Sequence, residues 1–140
     1  MAAGTLDKKA LEIYGNRVRV RVCGLCWRSE RLLMINHSGL YGHDFWAPPG
    51  GGIDFGESAD TGLRREYREE TGLLVDIGAH QFVCEYIKPP LHAAELFFEV
   101  SARGDEILVG KDPEMRQGQS ITAVGYKSIP EILQLPESHR

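Results

Sequence analysis

Apolar residues recur along the chain at the spacings of strands and helices. Residues 17 to 27, RVRVRVCGLCW, alternate polar and apolar positions in the way a half-buried strand does. The same criteria predict strands over residues 31–35, 74–87, 93–101 and 120–128, a short helix over 5–14, and a terminal helix that begins at Ile129. Mixed strands with one helix in the middle and one at the end predict an α/β sandwich.

The connections are marked by glycine and proline. Residues 37–44 are expected to be a loop, and Lys88-Pro89-Pro90 a turn between two strands. Residues 102–119 read as a polar connection that contains Glu114. The last four residues, ESHR, are expected to fray.

A central helix is predicted over residues 59–71. Ser58 is a suitable N-cap, and Gly72 a suitable residue to follow the last turn. Gly62 costs about 1 kcal/mol relative to alanine inside a helix, so we expect it to have a packing or site role.

Three carboxylates share one face of this helix. Glu66, Glu69 and Glu70 stand at i, i+3 and i+4. Like charges at this spacing repel, which is unfavourable unless a cation neutralises them, and oxygen ligands suit Mg²⁺ or Mn²⁺. The alternative is a solvated acidic face that pairs with the arginines of the same helix, Arg64, Arg65 and Arg68.

Composition narrows the class of protein. A chain of 140 residues is expected to form a single domain, 1–140, and its 42% hydrophobic and 26% charged content is that of a soluble globular protein. The net charge of −4 and the lack of a basic block argue against a nucleic-acid polymer as partner. No apolar run is long enough for a membrane span and the first residues lack a signal-peptide core, so a cytoplasmic protein is expected.

Two patterns in the first long strand each have two interpretations. Cys23 and Cys26 form a CxxC motif, but side chains three apart on a strand point to opposite faces, which favours strand packing over zinc or redox use. Cys84 is expected in the core. Arg17, Arg19 and Arg21 line one face of the strand. They form either a solvent-facing surface or, for Arg19 or Arg21, a phosphate contact in a cleft.

The segment from Gly51 to Leu73, GGIDFGESADTGLRREYREETGL, resembles the Nudix box. That motif is glycine, five residues, glutamate, seven residues, then REUxEExGU with U aliphatic, and every fixed position is present here. Tyr67 departs from the pattern at an aliphatic position, and we interpret it as packing. The preceding segment, Trp46-Ala47-Pro48-Pro49-Gly50-Gly51, resembles the approach to the box in the same family.

The resemblance implies a Nudix-type α/β/α sandwich with a mixed central sheet and a Mg²⁺ site, with Mn²⁺ as a substitute. It implies that Glu69 and Glu70 are metal ligands, joined by the carbonyl of Gly51. Glu66 is a further ligand or the catalytic base.

The resemblance also implies roles around these ligands. Arg65 would orient Glu69 by an ion pair, and Glu57 would contact the metal or its surroundings. Families differ in the source of the base, and Glu114 is the candidate outside the box. Trp46, Arg19 and Arg21 are the expected substrate contacts.

The implied reaction is hydrolysis of the diphosphate in a nucleoside diphosphate linked to a group X. Pro89, 16 residues beyond Leu73, lies where ADP-ribose and ADP-sugar members tend to carry a proline, which favours ADP-ribose or a sugar nucleotide over a nucleoside triphosphate. The completeness of the acidic set favours an enzyme over a non-catalytic nucleotide-binding module. The expected partner is a small nucleotide, and a homodimer is left open.

Overall fold

A computed structural model describes residues 8–104, 107 and 121–140. The described residues form four α-helices, which are α1 (Lys8–Tyr14), α2 (Ser38–Tyr41), α3 (Ala59–Thr71) and α4 (Ile129–Gln134), and a 3₁₀ turn over Glu137–His139. They also form seven strands, which are β1 (Arg17–Arg28), β2 (Arg31–Asn36), β3 (Trp46–Ala47), β4 (Gly50–Gly52), β5 (Val75–Lys88), β6 (Leu91–Ala102) and β7 (Ala123–Ser128). Among these residues, no helix is long and apolar enough to cross a membrane.

Strand β1 is the centre of the sheet. It runs parallel to β6 along residues 17–26, antiparallel to β4 at residues 21–23, and antiparallel to β2 at its last two residues. Strand β5 lies outside β6 at one edge, while β2 carries β3 and β7 on the other side. The predicted α/β fold with a mixed sheet is therefore confirmed.

The turn between β1 and β2 is a two-residue hairpin. Ser29 and Glu30 both adopt positive φ, 49° and 61°, and Arg28 pairs with Arg31 across the turn. Two consecutive residues with positive φ match the twist of the flanking strands and fix the register of this hairpin.

Helix α3 has the bounds that its sequence predicts. Ser58 Oγ accepts a hydrogen bond from the backbone N–H of Thr61 at 3.1 Å, and Gly72 closes the helix with φ of 75°. The helix packs on β1, β4 and β5. Leu63 and Tyr67 are fully buried in the core that forms between the helix and the sheet.

Tyr67 packs in the core, as its position in the box suggested. A Cβ placed on Gly24 of β1 would lie 2.5 Å from the Tyr67 hydroxyl, so the ring fits against β1 because residue 24 has no side chain. The close approach of helix and sheet at this point holds the polar face of α3 next to β1 and β4.

Three expectations are corrected by the structure. Residues 38–41 form one helical turn, α2, because Gly42 adopts φ of 74° and its N–H bonds Ser38 O at 3.0 Å. Cys84 is exposed and not in the core, because β5 is an edge strand whose central residues meet solvent. The last residues do not fray, since they form the 3₁₀ turn and the His139 ring stacks on His43 at 4.9 Å.

Candidate active site

A cavity opens where β1, β4 and α3 meet. Polar lining comes from Arg19 and Arg21 of β1, from His37, from the glycines of β4, and from Glu66 and Glu70 of α3. The remaining wall is more apolar and includes Tyr14, Phe45, Tyr86 and Leu91. We call this space the carboxylate cavity.

Gly51 lets strand β4 pack directly against the Glu66 carboxylate in the carboxylate cavity. A Cβ at this position would lie 2.4 Å from Glu66 Oε1, which is too close for any side chain. Glu66 and Glu70 are both buried, and Glu70 Oε1 accepts a hydrogen bond from the backbone N–H of Gly50 at 3.0 Å. The backbone of strand β4 therefore bonds Glu70 directly and packs closely against Glu66.

Arg65 connects three carboxylates of the box, those of Glu57, Glu66 and Glu69. Its Nε and Nη2 donate to the two oxygens of Glu57 at 2.7 and 2.9 Å. Its Nη1 donates to Glu66 Oε1 at 2.9 Å and to Glu69 Oε2 at 3.2 Å, which confirms the predicted i,i+4 pair with Glu69. A fork of donors in fixed geometry can hold three carboxylates at once, as a single ammonium group would not.

The contacts between Arg65 and Glu57 shift the pKa values of both side chains. The hydrogen bond from Arg65 lowers the pKa of Glu57 below its ordinary value. The same bond raises the pKa of Arg65 against the opposing effect of burial, with a smaller contribution from the charge of Glu66. Both groups are therefore held in their charged forms.

Arg19 and Arg21 both line the carboxylate cavity, so this face of β1 is not an ordinary solvent-facing surface. The Arg19 guanidinium lies over the Tyr14 ring, 4.3 Å from its centre. Arg21 forms an ion pair with Glu95 of β6, its partner in the parallel register. Both arginines point toward the space beside Glu66 and Glu70.

The other residues selected from sequence lie around this cavity. Trp46 lines an adjoining groove, where Lys127 Nζ stands 4.1 Å from its ring centre. Glu69 lines a separate groove with Arg64, Arg65 and Arg68, and Glu57 faces a third. Glu114 lies outside the described residues.

Two residues of the site, His37 and Glu95, had no signal in the sequence, and a third, Tyr86, belongs to a predicted strand. His37 lines the carboxylate cavity, and burial, followed by the charge of Arg21, lowers its pKa to about 3. Tyr86 lines both the cavity and the adjoining groove. Glu95 became visible only through the parallel pairing of β1 and β6, which sequence spacing does not reveal.

The CxxC cysteines are packed inside the sheet. Burial raises the pKa of Cys23 to about 12, and burial also raises the pKa of Cys26. Both thiols therefore remain protonated at neutral pH, and packing is the interpretation that the structure supports.

The donor set fits a hard divalent cation in its chemistry, because every candidate ligand is an oxygen. Arg65 Nη1 stands within 3.2 Å of both Glu66 and Glu69, so these two carboxylates already share one positive group. In the part of the chain that the structure describes, however, no three acidic, histidine or cysteine side chains converge on one point. A shared ion would require the side chains of Glu66, Glu69 and Glu70 to rotate towards one another.

Comparison with known proteins agrees with the fold. The chain matches the family profile described as NUDIX domain over residues 15–135, most of its length, and therefore belongs to the Nudix family. Members of the family generally use divalent metal ions and act on small nucleotides. No curated protein matches the sequence significantly.

Solved structures share the fold. A MutT Nudix hydrolase from Burkholderia pseudomallei is 23% identical, with 86% of this chain and 88% of that chain covered and a TM-score of 0.70. A Nudix hydrolase from Nitrosomonas europaea is 19% identical, with 89% and 81% covered and a TM-score of 0.73. A bifunctional NMN adenylyltransferase/ADP ribose pyrophosphatase from Francisella tularensis, in complex with AMP and a Mn ion, is 19% identical, with 81% and 35% covered and a TM-score of 0.63. These structures are all below 25% identity and show the fold, while the family match supports a pyrophosphohydrolase.

Proposed function

We propose that this protein hydrolyses the diphosphate linkage of a nucleoside diphosphate joined to a group X, with ADP-ribose or a sugar nucleotide as substrate. The observation that carries the proposal is the placement of Glu66 and Glu70, held by Gly51 and Gly50, in one cavity with Arg19 and Arg21. Acidic and basic side chains thus face each other across a space that a polyanion could enter.

The acidic side of the cavity fits a cation. Glu66 and Glu70 of the cavity, joined by Glu69 from the neighbouring groove and by the backbone of Gly51, would hold Mg²⁺ or Mn²⁺. A bound divalent ion would neutralise charge on the phosphate oxygens and lower the pKa of a water molecule.

The basic side of the cavity fits the phosphates. Arg19 and Arg21 would bind non-bridging oxygens, and Glu95 keeps the guanidinium of Arg21 in place by its ion pair. Arg65 would fix the directions of Glu66 and Glu69, and Glu57 fixes Arg65 in turn. Glu66 is our candidate for the base that takes the proton of the attacking water, and Glu114 is the alternative.

Support for the choice of X comes from two sources. Pro89 stands in the turn between β5 and β6, at the spacing that first favoured ADP-ribose and ADP-sugar members. A structural neighbour is described as an ADP ribose pyrophosphatase. A nucleoside triphosphate pyrophosphatase is the second candidate, since the box itself does not specify the group X.

The decisive experiment supplies purified protein and Mg²⁺ with ADP-ribose, sugar nucleotides, dinucleoside polyphosphates and nucleoside triphosphates, and identifies the products. We expect AMP and a sugar phosphate from ADP-ribose. Inertness towards every compound would favour a non-catalytic nucleotide-binding module.

Glu70→Gln tests the site itself. A glutamine Oε1 can still accept the Gly50 N–H, so the fold should be kept while turnover falls by about 10²-fold or more. Glu99→Gln, an exposed change on β6, is the matched control and should keep full activity. Full activity in Glu70→Gln would contradict the assignment.

The single domain over 1–140 and the homodimer stay predictions. Limited proteolysis can test the first, and sedimentation can test the second.

A further inference from the structure

A second space continues from the carboxylate cavity. It is lined by four aromatic side chains, Phe45, Trp46, Tyr86 and Phe97, and we call it the aromatic groove. Arg21, Phe45, Ala47 and Tyr86 line both spaces, so the two are continuous and Arg21 stands at their junction. A molecule with its phosphates beside Glu66 and Glu70 could place a flat ring system in the aromatic groove.

Glu95 is the acidic side chain that lines this groove. Its side chain is only 14% exposed, and its Oε2 takes both of its contacts, the ion pair with Arg21 and the Cys23 thiol at 3.8 Å. Within the described residues, Oε1 has no hydrogen-bond partner. The Oε1 atom is therefore open on the groove side, where a ligand that brings an N–H can donate to it.

Cys23 contacts the same oxygen of Glu95 that Arg21 contacts. Burial keeps the Cys23 thiol protonated, so the thiol can only donate towards Glu95 Oε2. Arg21 donates to the same oxygen. Both protein donors therefore bind Oε2 and leave Oε1 for a ligand.

We propose that Glu95 determines base specificity by accepting a hydrogen bond from the amino group of an adenine held in the aromatic groove. Aromatic walls bind a flat base through its faces, and they tolerate every base because every base has a π-face. Discrimination then comes from a polar group at the edge of the base, and a site built to pair such a group rejects analogues that lack it. The inference rests on the proposed function, since it assumes a nucleotide whose diphosphate lies at the carboxylate cavity.

The test compares ADP-ribose with its analogue in which the 6-amino group of adenine is replaced by hydrogen. The two substrates differ by one donor and share the same diphosphate and ribose. We expect the wild-type protein to prefer ADP-ribose by about tenfold or more in kcat/KM, because a charged acceptor loses its partner in the analogue.

Variants separate base reading from the support that Glu95 gives to Arg21. Glu95→Leu should lower kcat/KM for both substrates, because Arg21 loses its ion pair. It should also bring the ratio of the two kcat/KM values close to 1. Glu95→Gln keeps a carbonyl acceptor and should show an intermediate ratio. Glu99→Gln, on the same strand, should leave the ratio unchanged. Should Glu95→Leu fail to fold, the wild-type ratio and the Glu95→Gln ratio decide.

Two results would overturn the inference. One is a wild-type ratio of kcat/KM for the two substrates that lies near 1. The other is a ratio in Glu95→Leu that equals the wild-type ratio. If neither substrate turns over, the proposed function fails while the base site can still be measured by calorimetry with AMP and purine riboside 5′-monophosphate. Equal binding of these two ligands, or tighter binding of GMP than of AMP, would exclude an adenine site at Glu95.

Discussion

Gly51 and Glu66 are in such close contact that a Cβ on Gly51 would lie 2.4 Å from Glu66 Oε1. The glycine stands on β4 in register with Val22 of β1, and the glutamate stands on α3. The contact therefore joins the strand to the helix at the point where the carboxylate cavity forms. Any side chain at residue 51 must displace a buried carboxylate or separate the two elements.

Gly51→Ala should therefore impair both activity and stability. We expect kcat/KM to fall by about 10²-fold, because a displacement of about 1 Å in a catalytic group has that effect. The free energy of unfolding should fall by about 1–3 kcal/mol from overpacking. Steady-state kinetics and urea denaturation measure the two effects.

Gly125→Ala is the matched control for this substitution. Gly125 lies on β7, and a Cβ there meets nothing within 4 Å. Activity and stability should both stay at the wild-type level. Equal behaviour of the two variants would show that the contact between residue 51 and Glu66 does not shape the site.

Arg65→Lys tests the connection between Glu57, Glu66 and Glu69. Lysine keeps the charge but cannot make the two parallel bonds to Glu57 and the shared Nη1 bonds at the same time. We expect kcat to fall by about 10–100-fold with a smaller change in KM. Arg68→Lys, an exposed change on the same helix, should have no effect, and a comparable loss in that variant would argue against a special role for Arg65.

The parts of the fold that sequence predicted well are those with local determinants. Helix α3 follows from Ser58, Gly72 and the periodicity between them, and its structure has the expected bounds. Strand β1 follows from strict alternation, which is a property of consecutive residues. The candidate ligands Glu66, Glu69 and Glu70 could be named from sequence because the box places them on a single helix.

The parts that sequence missed depend on which strands are neighbours. Glu95 reaches Arg21 only because β6 runs parallel to β1, although the two residues are 74 positions apart in the chain. Cys84 was expected in the core because its strand is apolar, but β5 lies at the edge of the sheet. The bond between Glu57 and Arg65 depends on the turn before α3, which bends the chain back on the helix.

Tyr67 contains a buried hydroxyl without a hydrogen-bond partner in the described part of the chain. Burial raises its pKa well above the ordinary value, so the group stays neutral. Tyr67→Phe removes an unpaired polar atom and keeps the ring against Gly24. We expect the free energy of unfolding to rise by about 1 kcal/mol with unchanged activity, as measured by urea denaturation.

Tyr126→Phe is the comparison for that change. The Tyr126 hydroxyl interacts with the side chains of Cys26 and Arg28, so its removal breaks contacts instead of relieving a cost. We expect Tyr126→Phe to lower stability by about 1 kcal/mol. A loss of similar size in Tyr67→Phe would mean that the Tyr67 hydroxyl has a partner after all.

His37 should make the protein sensitive to mild acid. Burial lowers its pKa from 6.5 to about 3 in the folded protein. Between these two values the unfolded chain binds a proton at His37 that the folded protein does not, so stability falls as the pH decreases from about 6.5 and levels off near 3. Because part of the side chain meets solvent, the slope should be below the full value of about 1.4 kcal/mol per pH unit.

His37→Gln removes this proton linkage. The variant should lose less stability than the wild type between pH 6.5 and pH 4, which urea denaturation at a series of pH values can measure, and the two curves should run parallel above pH 7.5. His80→Gln, at an exposed position on β5, should follow the wild-type curve throughout, since its ring stays in contact with solvent. Identical acid slopes for the wild type and His37→Gln would mean that His37 is protonated in the folded protein, in which case the carboxylate cavity carries one more positive charge than its burial predicts.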